Sequence, residues 1–124
     1  EASRAFTRRF QPQFRNIVPN HIQAGGYSAV LHYLKAAQSL GVAQAKADGA
    51  ATIRRMKEMP TEDPLFGRGT IRADGRKVHP SYLYQVKAPA ESRAPWDYYR
   101  RLRTVPAEQA FRPVGEGGCA MVQG

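Results

Sequence analysis

GTIRADGRKVHPSYLYQVKAPAESRAPWDYY, Gly69 to Tyr99, decides how this chain is read, because it packs strand, turn, second strand and aromatic anchor into one run. Thr70-Ile71-Arg72 predicts a short strand and Ala73-Asp74-Gly75-Arg76 its turn. Ser81 to Lys87 predicts the return strand, with Tyr82, Tyr84 and Val86 sharing one face by the alternation that a strand imposes. Asp74-Gly75 is the firmest part of this hairpin. Gly accepts the positive φ that tight hairpin turns demand, and an Asp carboxylate can take hydrogen bonds from the turn backbone.

Working upstream, three helical segments precede the hairpin. Ala2, Phe6 and Phe10 fall four apart on one face of a helix from about Glu1 to Phe10, which Pro12 ends near Gln11 by lacking an amide proton and restraining its predecessor. Gln13 to Asn20 is a connector with Phe14, Ile17 and Val18 as apolar anchors. In the second helix, within Gln23 to Gly41, Tyr27, Val30, Leu31, Leu34, Ala37 and Leu40 follow three-and-four spacing, which predicts that this face packs inward; Gly41 stands at the C-cap. Asp48 or Gly49 to Met59 predicts a third helix, capped by Asp48, with Ile53, Met56 and Met59 inward and Pro60 as its stop. Thr61 to Gly69 then reads as a loop carrying Leu65-Phe66 toward the core.

Downstream, Ala88 to Pro95 is a connector and Tyr98 to Val105 a further extended segment. Pro106 to Phe111 fits one helical turn with Pro at its start. Gly115 to Gly124 is a Gly-rich tail. A hairpin and three helices make a small α+β layer, yet no βαβ unit is visible that would supply a parallel sheet. The apolar faces of Phe6/Phe10 and Tyr82/Tyr84/Val86 therefore need a covering layer from further sequence, a second chain or self-association.

At 124 residues the chain is one domain at most. It opens without Met inside an amphipathic pattern and carries no signal peptide, lipid-attachment Cys or long apolar run, so the expectation is a fragment whose export signals lie upstream. The net charge of +9 raises nucleic acid as a partner. Its cations, however, are dispersed as Arg8-Arg9, Arg54-Arg55-Lys57, Arg68 to Lys77 and Arg100-Arg101-Arg103, which suits a solvated surface better than a binding block. The single Cys119 forms no internal disulfide and suggests a distant partner cysteine.

Enzyme signatures come up short. No spaced carboxylate pair stands beside a buried run, and His32 lies mid-helix without a second His or Cys four residues away. Neither Gly67-Arg68-Gly69 nor Gly115 to Gly118 leads into a helix with Lys and Ser or Thr, as a phosphate cradle requires. No catalytic residue, metal or cofactor is expected. Tyr27 is the residue to single out. It follows Gly25-Gly26 near a helix start, where small residues let another molecule approach and unpaired amides favour an anionic group. Its alternative role is a core Tyr with its hydroxyl at the edge.

A set of words widens the picture: Ser3-Arg4-Ala5-Phe6, Gln23-Ala24-Gly25-Gly26-Tyr27-Ser28-Ala29-Val30-Leu31-His32-Tyr33-Leu34-Lys35, Met56-Lys57-Glu58-Met59-Pro60, Ile71-Arg72-Ala73-Asp74-Gly75-Arg76, Tyr84-Gln85-Val86-Lys87 and Pro95-Trp96-Asp97-Tyr98-Tyr99. In this order they resemble the last third of a type I periplasmic solute-binding protein, most similar to receptors of ABC transporters of the branched-chain amino-acid, urea and amide class. The resemblance implies an α+β fragment of an α/β fold, about three helices followed by a β-hairpin and an extended tail. The chain would be the C-terminal segment of a two-lobed receptor, with helices in 1–60 and hairpin and tail in 61–124. It further implies a non-enzymatic, exported, periplasmic protein that binds an amino acid, amide or aromatic acid in an interlobe cleft and presents it to a membrane permease. Tyr27 would line that cleft against the ligand, with Gln23 a weaker polar partner. The alternative function is a small basic nucleic-acid-binding protein using Arg100, Arg101, Arg103 and the nearby tyrosines.

Overall fold

The computed structural model describes residues 2–122. Helix α1 (Ala2–Phe10) runs into a 3-10 turn at Gln11–Gln13, where Pro12 cannot continue the α-helical ladder. Helix α2 (His21–Leu40) begins two residues earlier than the sequence pattern indicates. Asn20 accepts from the amides of Ile22 and Gln23, and Gln23 Oε1 accepts from the Asn20 amide, closing a reciprocal capping box. Gly41 ends α2 at φ +87 and leads directly into a short helix α3 (Val42–Ala47) that the sequence pattern does not announce. Helix α4 (Gly49–Glu58) starts where expected, with Asp48 accepting from the Ala51 amide.

Strands β1 (Thr61–Asp63), β2 (Gly67–Ile71) and β3 (Lys77–Val78) form an antiparallel sheet in the order β1-β2-β3. Strand β4 (Ser81–Val86) pairs antiparallel with β5 (Tyr99–Val105), and helix α5 (Ala107–Ala110) follows. The Asp74-Gly75 turn stands as expected, with Gly75 at φ +81, the Arg76 amide donating to Asp74 and Arg72 gripping the Asp74 carboxylate through two hydrogen bonds. The return strand does not. Thr70 and Ile71 pair with Val78 and Lys77, and the expected return strand Ser81 to Lys87 instead meets the segment after Trp96. His79-Pro80 explains the switch: Pro80 lacks an amide donor and breaks the ladder, so β3 stops after two residues and β4 is free to turn away. Thr61 to Gly69 is likewise not wholly a loop, because Thr61 pairs with Gly69 and Asp63 with Gly67.

Burial follows the expected helix faces only in part: Tyr27, Leu31, Ala37, Leu40, Met56 and Met59 are half-buried, while Val30, Leu34 and Ile53 are exposed. The residues of α2 that are buried are Ser28, His32 and Ala36, which pack toward α4 and β1, whereas Val30 and Leu34 are exposed. In α4, Thr52 is fully buried and Ile53 half-exposed. The most deeply buried positions of both helices are thus small or polar, and part of each apolar stripe is left uncovered. The β4–β5 ribbon packs mainly on itself and exposes Tyr82, Leu83, Tyr84, Val86, Tyr99 and Leu102. Accessible surface totals 9146 Å². A compact monomer of 13.8 kDa would show about 6,600 Å². The exposed apolar side chains on these faces contribute to the excess.

Candidate functional site

Gln23 and Tyr27 stand one turn apart on α2, on the side opposite its buried stripe: at roughly 100° per residue they lie about 160–200° from Gly25. Tyr27 is half-buried, and its ring packs against Phe6 at 4.7 Å between centroids. Phe6 in turn contacts Phe10, which stacks on Phe14 at 4.2 Å. An aromatic column from α1 thereby backs one side of Tyr27. Around Gly25 and Gly26 a Cβ would meet nothing within 4 Å, so no packing demands glycine there and the backbone is open to approach. Gln23 is exposed, with its carbonyl committed to the cap. The same cap occupies the Ile22 and Gln23 amides, which removes the free helix amides on which an anion site was expected.

The opposite face of α2 carries a buried polar cluster. Asp63 Oδ2 accepts from Ser28 Oγ and from Lys77 Nζ, each at 2.6 Å, while Lys77 also donates to Ser28 at 2.6 Å. Asp63 Oδ1 takes the amides of Leu65 and Phe66, both at 2.8 Å, so the carboxylate is fully satisfied. Burial pushes its pKa up, but Lys77, Ser28 and the two amides outweigh that effect and bring it down to about 2. A Ser beside a Lys resembles an activated nucleophile. Here Lys77 donates to Ser28 and Ser28 donates to Asp63, so the pair contains no base aimed at the hydroxyl.

Beside this cluster lies a cavity of about 380 Å³ between α2, α4 and the three-stranded sheet. His32 lines it, donating from Nε2 to the Met56 carbonyl at 2.8 Å. Phe66, which also forms part of the wall, sits under the Lys77 ammonium at 4.8 Å and against His79 at 4.7 Å. A second, more open groove of about 580 Å³ separates α1 from the loop at Ala94 to Asp97. In that loop Trp96 is exposed at φ +68, and Asp97 is held below its usual range by a hydrogen bond from Lys87 and another from the Arg93 amide.

None of Ser28, Asp63 and Lys77 stands out in the sequence. They are separated by 35 and 14 positions, and no local motif joins them. Among the described residues, no group of His, Cys, Asp and Glu could hold a metal ion, and no helix is long and apolar enough to cross a membrane. Arg101 pairs opposite Tyr84 and lies over Tyr82, whereas Arg100 and Arg103 pair opposite Gln85 and Leu83 on the other face of the ribbon. The three arginines therefore do not make one basic patch, which counts against the nucleic-acid alternative.

These features build a mixed helix and sheet layer, and among the described residues no catalytic group is assembled. Residues 1–93 match the family model described as periplasmic binding protein, and the chain belongs to that family, whose members are receptors and not enzymes. A periplasmic binding protein from Burkholderia mallei is 38% identical with a TM-score of 0.87, over 99% of this chain and 31% of that one. A branched chain amino acid ABC transporter periplasmic ligand-binding protein from Burkholderia xenovorans is 36% identical with a TM-score of 0.80, over 98% of this chain and 31% of that one. The chain thus spans about a third of the length of these solved structures. No curated protein matches it.

Proposed function

We propose that this chain forms the C-terminal segment of an exported two-lobed receptor that closes around a small organic ligand, such as an amino acid, amide or aromatic acid, and presents it to the membrane permease of an ABC transporter. Family membership and the likeness to the Burkholderia xenovorans ligand-binding protein support this reading. So do the uncovered faces of α2 and of the β4–β5 ribbon, which are the surfaces that a second lobe and a parallel sheet would cover.

The observation that carries the binding role is Tyr27. Its ring is half-buried and braced by Phe6, on the helix face that the rest of this chain leaves uncovered. A braced aromatic loses little freedom on binding and offers a flat apolar wall. Gln23, with its carbonyl held by the cap, keeps its amide nitrogen to donate to a ligand. Closure would bring groups from the other lobe onto the same ligand.

The test is calorimetry on the receptor carrying both lobes, with branched-chain amino acids, small amides and aromatic acids. Tyr27→Ala is expected to weaken binding about ten- to hundredfold while changing the melting temperature little. An unchanged dissociation constant with a large drop in melting temperature would assign Tyr27 to packing. Failure of every solute class to bind the unsubstituted receptor would overturn the function itself.

A further inference from the structure

The cavity between α2, α4 and the three-stranded sheet is separate from the Tyr27 face, is lined by residues of this chain and is open on one side. Ala29, Met56, Phe66 and Ile71 supply most of its apolar wall. Two of its lining residues hold polar atoms without a hydrogen-bond partner: His32 Nδ1 and Thr61 Oγ1. Both residues are deeply buried, with His32 at 5% and Thr61 at 1% exposure. Because Nε2 of His32 donates to the Met56 carbonyl, the tautomer which that bond selects leaves Nδ1 as a bare acceptor. An unmade hydrogen bond in such a place is costly, and a buried polar group normally has its partner.

The local charges are already balanced. Lys77 and Asp63 neutralise each other, and every oxygen of Asp63 is taken. A ligand bringing its own net charge or a zwitterion would pay desolvation with no free counter-charge to meet it. An apolar cavity of about 150 Å³ suffices for benzene, so one of 380 Å³ accommodates a ring or branched chain together with a polar head.

We propose that this cavity binds a small neutral amphiphile, an alcohol or primary amide with an apolar body, whose O–H or N–H donates to His32 Nδ1 and whose oxygen accepts from the Thr61 hydroxyl. Neither atom is accessible to water in the free protein, so the proposed binding includes a side-chain shift at the wall that uncovers both. The site is a second one within a single lobe, and its ligand class excludes the amino-acid zwitterions that a receptor cleft takes. It does not depend on the Tyr27 reading.

The test uses phenol and isobutyramide as probes, with leucine and benzoate as charged controls, followed by NMR on this chain. Saturable shifts are expected at His32, Thr61, Phe66 and Ile71 with both neutral probes and not with the controls. Ala29→Phe, at an exposed position on the cavity rim, should weaken phenol binding at least tenfold. Thr61→Val should raise the melting temperature of the probe-free protein, because it removes a stranded hydroxyl, and yet weaken both probes several-fold. Absence of saturable shifts, shifts that survive Ala29→Phe, or equal binding of leucine would each overturn the proposal. Loss of amino-acid binding by the two-lobed receptor would leave these outcomes unaffected.

Discussion

Asp63 shows how one residue can hold three elements, since its carboxylate takes bonds from Ser28 on α2 and Lys77 on β3 while sitting on β1. Its folded pKa of about 2 lies below the ordinary 3.8, so the unfolded chain takes up its proton first as pH falls. The stabilisation is fully present above about pH 4 and is lost as pH falls through about 2; it amounts to roughly 2 kcal/mol. Asp63→Asn is expected to lower stability at pH 7 by about 3 kcal/mol, because Lys77 keeps its charge without its partner, and to flatten the dependence between pH 4 and pH 2. Urea titrations at several pH values check both. Candidate residues were unevenly legible. Tyr27 and Gln23 could be picked from their place beside two glycines, but the same word concealed that Gln23 is also a cap residue, which only the position of Asn20 reveals. The Ser28–Asp63–Lys77 cluster had no local signature, since a Ser in a helix, an Asp before a Pro and a Lys after a turn are each ordinary.

Elements follow local chemistry wherever a backbone rule decides and depart from it wherever pairing decides. Asp48 caps α4, Pro12 ends α1 and Asp74-Gly75 makes the turn, each through groups within four residues. Strand partners are chosen at longer range. A run of Tyr, Leu and Val predicts a strand but not whether it meets Thr70 or Tyr99, and the break at Pro80, just before the predicted return strand, settles the matter. The most deeply buried positions of α2 and α4, Ser28, His32, Ala36 and Thr52, are not legible for a related reason: apolar spacing reports which stripe seeks cover, not which stripe has found it. Gly69 marks the tightest crossing. A Cβ there would stand 2.3 Å from the Val78 carbonyl oxygen and 3.0 Å from Thr61 Oγ1. Gly69→Ala is expected to push β2 away from β3 and destabilise by about 2–3 kcal/mol. Denaturant unfolding measures the loss, and faster exchange of the Thr70 and Val78 amides would locate it; a stability within about 0.5 kcal/mol of the unsubstituted chain would show that the sheet absorbs the methyl group.

For the molecule as a whole, an accessible surface about 40% larger than its mass warrants means that apolar faces look for cover. The two free edges of the ribbon differ. Strand β5 carries Arg100, Arg101 and Arg103, whereas β4, Ser81 to Val86, has no charge and no proline to discourage another strand. Sedimentation velocity of this chain at tens of micromolar should therefore show dimers or larger species joined through β4. Leu83→Lys should shift them toward monomer, and a monomer throughout would refute self-association. The bond from Lys77 to Ser28 also has a temporal meaning. It spans 49 positions, and closing a loop of that length costs about 3–4 kcal/mol in chain entropy before any contact repays it. The helix caps and the Asp74 turn can form as soon as their own few residues meet. The bridge must wait for α2 and the sheet to dock, which makes it a late arrival on the folding path and a brake on unfolding: it governs how long the native state lasts more than how quickly it is reached.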